Sequence, residues 1–165
     1  MIAQIIQQQR YRMNECKIFI KNLEGGQTEQ LEGVLDPSFL DIHESYLLFK
    51  EPIHYQGETY LADDHLIIHL NIKTNAELPC SICNKLIQVP IVIADFYHTE
   101  LLTELNSHIF DFTGPLRETI LLAVPPFTEC NNGNCLERGT ISQYFKKEKT
   151  DPSAKENIYF PFADL

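Results

Sequence analysis

Apolar and polar positions alternate most cleanly between residues 66 and 73. Leu66, Ile68, Leu70 and Ile72 fall on one side, with Ile67, His69, Asn71 and Lys73 on the other. A period of two marks a strand with one packed face and one wetter face. A second alternating run, Ile87, Val89, Ile91 and Ile93, ends near Phe96 and Tyr97. The two runs are expected to form an antiparallel hairpin. The segment between them, Pro79 to Lys85, is longer than a minimal turn and holds Cys80 and Cys83.

Weaker patterns place the other elements. Cys16 to Leu23 mixes β-branched and aromatic residues with polar ones and predicts a strand, closed by a Gly25-Gly26 turn. Thr28 to Leu35 predicts a return strand. At Asp36-Pro37-Ser38 a capping side chain precedes a proline in the first helical position, so a helical turn is expected to bury Phe39, Leu40 and Ile42. Tyr46 to Phe49 and Ile53 to Leu61 predict strands interrupted at Glu51-Pro52, since Pro52 lacks an N–H and belongs at a strand start or edge. Ala62-Asp63-Asp64-His65 predicts a turn. Leu101 to His108 has no deciding period.

A helix is expected over residues 114 to 124, with Thr113 as its cap and Leu116, Ile120, Leu121 and Val124 on one side. Pro125-Pro126 ends it, and Cys130 and Cys135 follow in a loop that Gly133 leaves free to wrap. At the front, Ile2, Ile5 and Ile6 can form one face of a short helix. Residues 1 to 15 are read as an extension, Met13 as an alternative start, and residues 16 to 165 as one domain. The polar run from Lys146 to Asn157 is expected at the surface. The apolar end, with Tyr159, Phe160, Phe162 and Leu165, is expected to dock back. The fold class that results is α+β: a mainly antiparallel, curved or partly barrel-like sheet with one or two short helices.

Charge narrows the range of partners. Thirteen basic against 23 acidic side chains give a net charge of −10, which favours solubility and disfavours broad contact with nucleic-acid phosphates. Nothing in the opening residues resembles a signal peptide, and no apolar run has membrane-spanning length. A soluble cytoplasmic protein is therefore expected, without membrane contact, in a compartment where disulfides are disfavoured.

Five cysteines are an odd number, and spacing makes Cys16 the spare one. The other four admit three readings. Cys80, Cys83, Cys130 and Cys135 can converge as thiolates on one Zn²⁺, at about 2.3 Å each, in a closed structural site. Cys80 and Cys83 can instead cycle as a redox pair, although a strand precedes and follows them and the helix N-terminus that lowers such a pKa is missing. Or all four are small buried hydrophobes. His98 or His108 can replace one distant cysteine as a ligand, and His69 is expected to be exposed. No carboxylate pair among Glu58, Glu77, Asp95, Glu100, Glu104 and Asp111 is placed for acid–base work, and no nucleophile–base set is visible. Neither an enzyme nor a small-molecule substrate is indicated.

The order of these motifs resembles the YceD family of bacteria and plastids. Its members carry the DUF177 domain and are described as large ribosomal RNA subunit accumulation proteins. The resemblance runs from about residue 16 to the end. It comprises the first strand, the turn Asp36-Pro37-Ser38-Phe39-Leu40, the antiparallel pair entering Cys80-Ser81-Ile82-Cys83, Arg117-Glu118-Thr119-Ile120-Leu121-Leu122-Ala123-Val124-Pro125, and then Cys130 and Cys135. The family's knuckle is Cys-x-Arg-Cys-Leu, and here Ile82 and Asn84 stand where it has arginine and leucine. Its later Cys-x-x-Cys is absent at Leu136-Glu137-Arg138-Gly139, and Asp151-Pro152-Ser153 lacks the arginine of its Asp-Pro-Arg.

The resemblance implies a non-enzymatic factor for accumulation or processing of large-subunit (23S) ribosomal RNA, with zinc on Cys80, Cys83, Cys130 and Cys135. It implies as partners a large-subunit precursor, through its RNA, a ribosomal protein or an assembly factor. Lys146, Lys147 and Lys149 are the candidate RNA or partner contacts. The competing expectations are a zinc-stabilised protein-interaction module unrelated to RNA and a thiol oxidoreductase using Cys80 and Cys83.

Overall fold

The computed structural model describes residues 16–105 and 107–142. It divides into two compact units, Met1–Cys135 and Leu136–Leu165. The expectations for Ile2, Ile5 and Ile6, for the three lysines and for the apolar C-terminus lie outside the described residues.

The first unit is built on an open four-stranded antiparallel sheet in the order β2-β3-β4-β5. These strands are β2 (Thr28–Leu35), β3 (Ile53–Ala62), β4 (His65–Pro79) and β5 (Leu86–Leu101). Two short strands, β1 (Lys17–Phe19) and β6 (Ile109–Asp111), pair antiparallel in a second sheet. The helices are α1 (Thr113–Leu122) and the single turn α2 (Cys130–Gly133), with α3 (Arg138–Ser142) in the second unit. The α+β class is as expected, but the described residues hold three short helices rather than one or two, and among them the sheets do not close into a barrel.

The period-two run forms the centre of this sheet. Leu66, Ile68, Leu70 and Ile72 are fully buried, in one cluster with Leu31, Leu35, Ile53 and Tyr55 from the neighbouring strands and Leu116 and Ile120 from α1. Fully burying a Leu or Ile side chain is worth roughly 1.5–3 kcal/mol, so this shared face decides the register. Tyr55 meets Phe112 edge-on at a centroid distance of 5.8 Å. Ile67, on the nominally wet face, is buried as well.

β5 keeps its alternation to Ile93, then shifts at a bulge opposite Asn71, so that Leu70 pairs Phe96 while Ile72 pairs Ile93. That extra residue restores the apolar face and lets the strand run on to Leu101, past the expected end near Tyr97. Leu101 to His108, which had no period, ends this strand, makes a 3-10 turn at Leu102–Glu104 and leads into β6.

Three further expectations change. The first strand stops at Phe19, because Ile20–Leu23 coils into a 3-10 turn that buries Ile20 and Leu23. Thr28–Leu35 is a strand as expected, yet it returns along β3 rather than β1, whose partner is β6. Tyr46 to Phe49 is reduced to one bridge, Leu48 to Glu77. The Asp36 turn forms as expected, its carboxylate accepting from the Ser38 N–H at 3.0 Å, but of its apolar residues Leu40 alone is buried, with Phe39 and Ile42 half-buried against the core.

Beyond Lys73 the β4–β5 hairpin outruns β3 and becomes a two-stranded arm. A small cluster, Ala76, Leu78 and Ile91, packs its inner face against Leu47, Phe49 and Val124. The crossing segment is pinned down by Glu51, whose carboxylate receives the amides of Asn75 and Gln88, and by Lys50 on Glu77. The arm carries Cys80 and Cys83 at its tip.

Candidate metal centre

At the tip the chain must reverse within Cys80 to Lys85, since Pro79 still pairs with Leu86 in the ladder. The Cys80 N–H donates to the Lys85 carbonyl at 2.8 Å, and Asn84 N–H donates to the Cys80 carbonyl at 2.9 Å. Asn84 closes the turn in the left-handed region, at φ 59, where asparagine is among the best-tolerated non-glycine residues. This knuckle leaves two sulfurs on the same side of the hairpin end.

The second pair is supplied from the end of α1. That helix starts one residue earlier than expected and ends at Leu122, two residues short of the expected 124. Thr113 lies within it, Phe112 precedes it as a cap without a side-chain bond, and Asp111 accepts the Thr113 N–H at 2.9 Å. Arg117 anchors it, donating Nε–H to the Leu40 carbonyl at 2.7 Å. After Pro125-Pro126 the chain passes the arm tip and turns back through Asn131, Asn132 and Gly133 at φ 53, 52 and 87. Three successive left-handed residues curl the backbone tightly, and the sequence Asn-Asn-Gly is one of few that do so at low cost.

The two loops are fastened directly. Ser81 N–H donates to the Thr128 carbonyl at 2.8 Å, the Thr128 N–H returns to Ser81 Oγ at 3.2 Å, and Thr128 Oγ1 donates to the Pro79 carbonyl at 3.1 Å. Ser81 and Thr128 carried no signal in the sequence, because their value lies in facing each other across a long separation.

The result is a cluster in which the sulfurs of Cys80, Cys83, Cys130 and Cys135 all lie within 4.8 Å of one another. Cys80 and Cys135 are buried, and Cys83 and Cys130 are half-buried. The Cys83 and Cys130 sulfurs are 3.9 Å apart. A tetrahedral ion with metal–sulfur bonds of about 2.3 Å spaces its sulfurs by about 3.8 Å, so this set fits one ion with small adjustments. All four sulfur ligands come from the protein, which leaves no open coordination position for substrate.

The local field suits thiolate. Backbone N–H groups converge on the Cys80 sulfur, that of Cys130 at 3.4 Å. Those of Cys130 and Cys83 chiefly bring its pKa down from 9.0 to about 6, against the upward push of burial. Cys130 moves the other way, up to about 12, first through its hydrogen bond with Cys135 and then through burial and the neighbouring Cys80 and Cys83. Without metal the cluster holds one ready thiolate, at Cys80, beside a Cys130 thiol that resists losing its proton. A divalent ion supplies the charge that removes this resistance.

The other residues singled out in the sequence lie elsewhere. Cys16 is buried in the main core. His98 stacks on Phe96 and Phe110 with Nε2 at 3.2 Å from Glu100, and neither it nor His108 belongs to the cluster. His69 is half-exposed and meets Asp95 at 2.9 Å. Among the described residues no helix is long and apolar enough to cross a membrane.

Fold and site together define an α+β protein whose hairpin tip and helix-borne loop meet at a four-cysteine group able to hold a metal ion. No protein-family model, curated protein or solved structure matches the chain.

Proposed function

We propose that this protein is a non-enzymatic factor supporting the accumulation or processing of large-subunit (23S) ribosomal RNA, acting in the cytoplasm with a structural zinc ion. The observation that carries the reading is the meeting of the two cysteine pairs, which fall in the order of the YceD-like motifs. Four soft thiolates in a tetrahedral set select zinc, or iron in a sulfur site, and zinc is the ion that serves purely as a staple. A closed coordination shell supports binding rather than catalysis. Tying the arm to the helix end fixes a recognition surface in advance, which lowers the ordering cost of association.

The test is depletion of the protein in its own cells, followed by the ratio of large to small ribosomal subunits. A fall in large subunits with accumulation of precursor 23S RNA is expected, and an unchanged ratio overturns the reading. The acidic surface favours a second reading, a zinc-stabilised protein-interaction module unrelated to RNA. That module predicts an unchanged ratio together with partners whose recovery is indifferent to nuclease. Thiol exchange at Cys80 is disfavoured because its sulfur is fully buried and attack requires access.

A further inference from the structure

Beside the cysteine cluster lies a groove of about 650 Å³, within the size range of binding pockets. One wall is the knuckle at Pro79, Cys80 and Ser81. The segment after the Asp36 turn also lines it, and the less exposed aliphatic residues Leu47, Leu78, Leu121 and Val124 make its floor. The metal ligands therefore hold one side of this groove in place, and the Glu51 clamp secures the segment that also lines it.

Its chemistry is specific. The floor is aliphatic. At the rim stand two carboxylates, Asp41 and Glu44, and the ring of Tyr46, which is 58% exposed. The basic side chain in the lining, Arg117, is turned to the Leu40 carbonyl. Asp41 also has the exposed His43 ring at 3.0 Å. An aliphatic floor under carboxylates and an aromatic face suits the stem and head of a lysine or arginine: methylenes on the floor, cation at the rim. The net charge of −10 steers cations toward such a surface and repels phosphate.

We infer that this groove docks an extended cationic peptide segment, with lysine or arginine alternating with aliphatic residues, from a protein partner. This deepens the assembly-factor reading and rests on it only for the partner's setting. Basic protein, rather than ribosomal RNA, is what the groove contacts.

The experiment is fluorescence anisotropy of the zinc-loaded full chain with a labelled peptide alternating arginine and leucine. Asp41 sits in the left-handed region at φ 48, so the rim is neutralised by Asp41→Asn with Glu44→Gln, which keeps a residue at home there. Tyr46→Ala removes the aromatic face. Asp63→Asn with Asp64→Asn, at the β3–β4 turn, removes equal charge elsewhere. The rim pair is expected to weaken binding about fivefold or more, Tyr46→Ala about threefold, and the turn pair less than twofold. Equal losses from the rim and turn pairs, no binding of the peptide, or tighter binding of a single-stranded RNA oligonucleotide that the peptide fails to displace each overturn the inference. Peptide binding is read on the purified protein and subunit ratios in cells, so failure of either leaves the other standing.

Discussion

Removing the metal, by chelation or by Cys83→Ser, should weaken the fold by an amount the topology sets. Cys83 and Cys130 are 47 residues apart. Joining two points that far along a chain restricts the unfolded state by about 4 kcal/mol, if the sulfur–metal–sulfur link is treated like a disulfide crosslink. The larger figures for small zinc peptides, about 10–16 kcal/mol, belong to chains with no other core. Here the cluster around Leu66, Ile68, Leu70 and Ile72 holds the main sheet without the ion. The arm has only Ala76, Leu78 and Ile91 fully in its own core, so the loss should be concentrated there.

Urea unfolding of the full chain with and without chelator measures the total, and amide exchange shows where it falls. The N–H groups of Ser81, Asn84 and Cys130 should exchange much faster after metal removal, with those of Ile68 and Leu70 changed little. Cys16→Ala is the control, because it leaves all four ligands in place. The reasoning is refuted if chelation leaves stability and exchange untouched, or if Cys16→Ala releases as much metal as Cys83→Ser.

Other outcomes follow from the same geometry. At pH 7 Cys80 is already ionised, its pKa being about 6 while that of Cys130 is about 12. Loading the metal-free protein at pH 7 should therefore displace a proton from Cys130 but almost none from Cys80, so that Cys130→Ser lowers the proton release read from calorimetry in buffers of different ionisation enthalpy and Cys80→Ser does not. The signs for the metal-free fold are opposite for the two thiols. The depressed Cys80 pKa makes stability rise with pH from about 6 toward 9, and the raised Cys130 pKa makes it fall from 9 toward 12. Urea midpoints in chelator should then peak near pH 9, and a flat profile would count against the assigned hydrogen bonds. Ser81→Ala and Thr128→Ala should each cost about 1 kcal/mol, and the double variant less than the sum, because each removes one side of the same fastening. Gly57→Ala places a Cβ against the His69 carbonyl and 2.8 Å from the Leu70 Cα, both backbone. It should cost on the order of 2–3 kcal/mol, and a neutral effect in thermal unfolding would disprove so close a strand approach.

Strong local chemistry is what made parts of this fold legible. The alternating runs announced β4 and β5 because a period of two with one buried face permits little else. Asp36-Pro37 announced its turn because cap and proline fit a single arrangement. Both cysteine pairs were visible as chelating loops, each bent at an asparagine or glycine that tolerates positive φ. Long-range choices were less visible. Nothing near Lys17–Phe19 states that β1 prefers β6 to the adjacent β2, since that pairing is fixed by burying Ile18 and Phe112 in the shared core. The bulge opposite Asn71 was hidden because Phe96 and Ile93 each look like an ordinary strand residue. Ser81 and Thr128 bond across 47 residues, a distance no local pattern reports.

X-ray absorption at the zinc edge, on protein purified without chelator, tests the centre most directly. One zinc per chain with four sulfurs at about 2.3 Å is the expected result. A sub-stoichiometric metal, or a first shell containing nitrogen or oxygen in place of any of the four cysteine sulfurs, would contradict it.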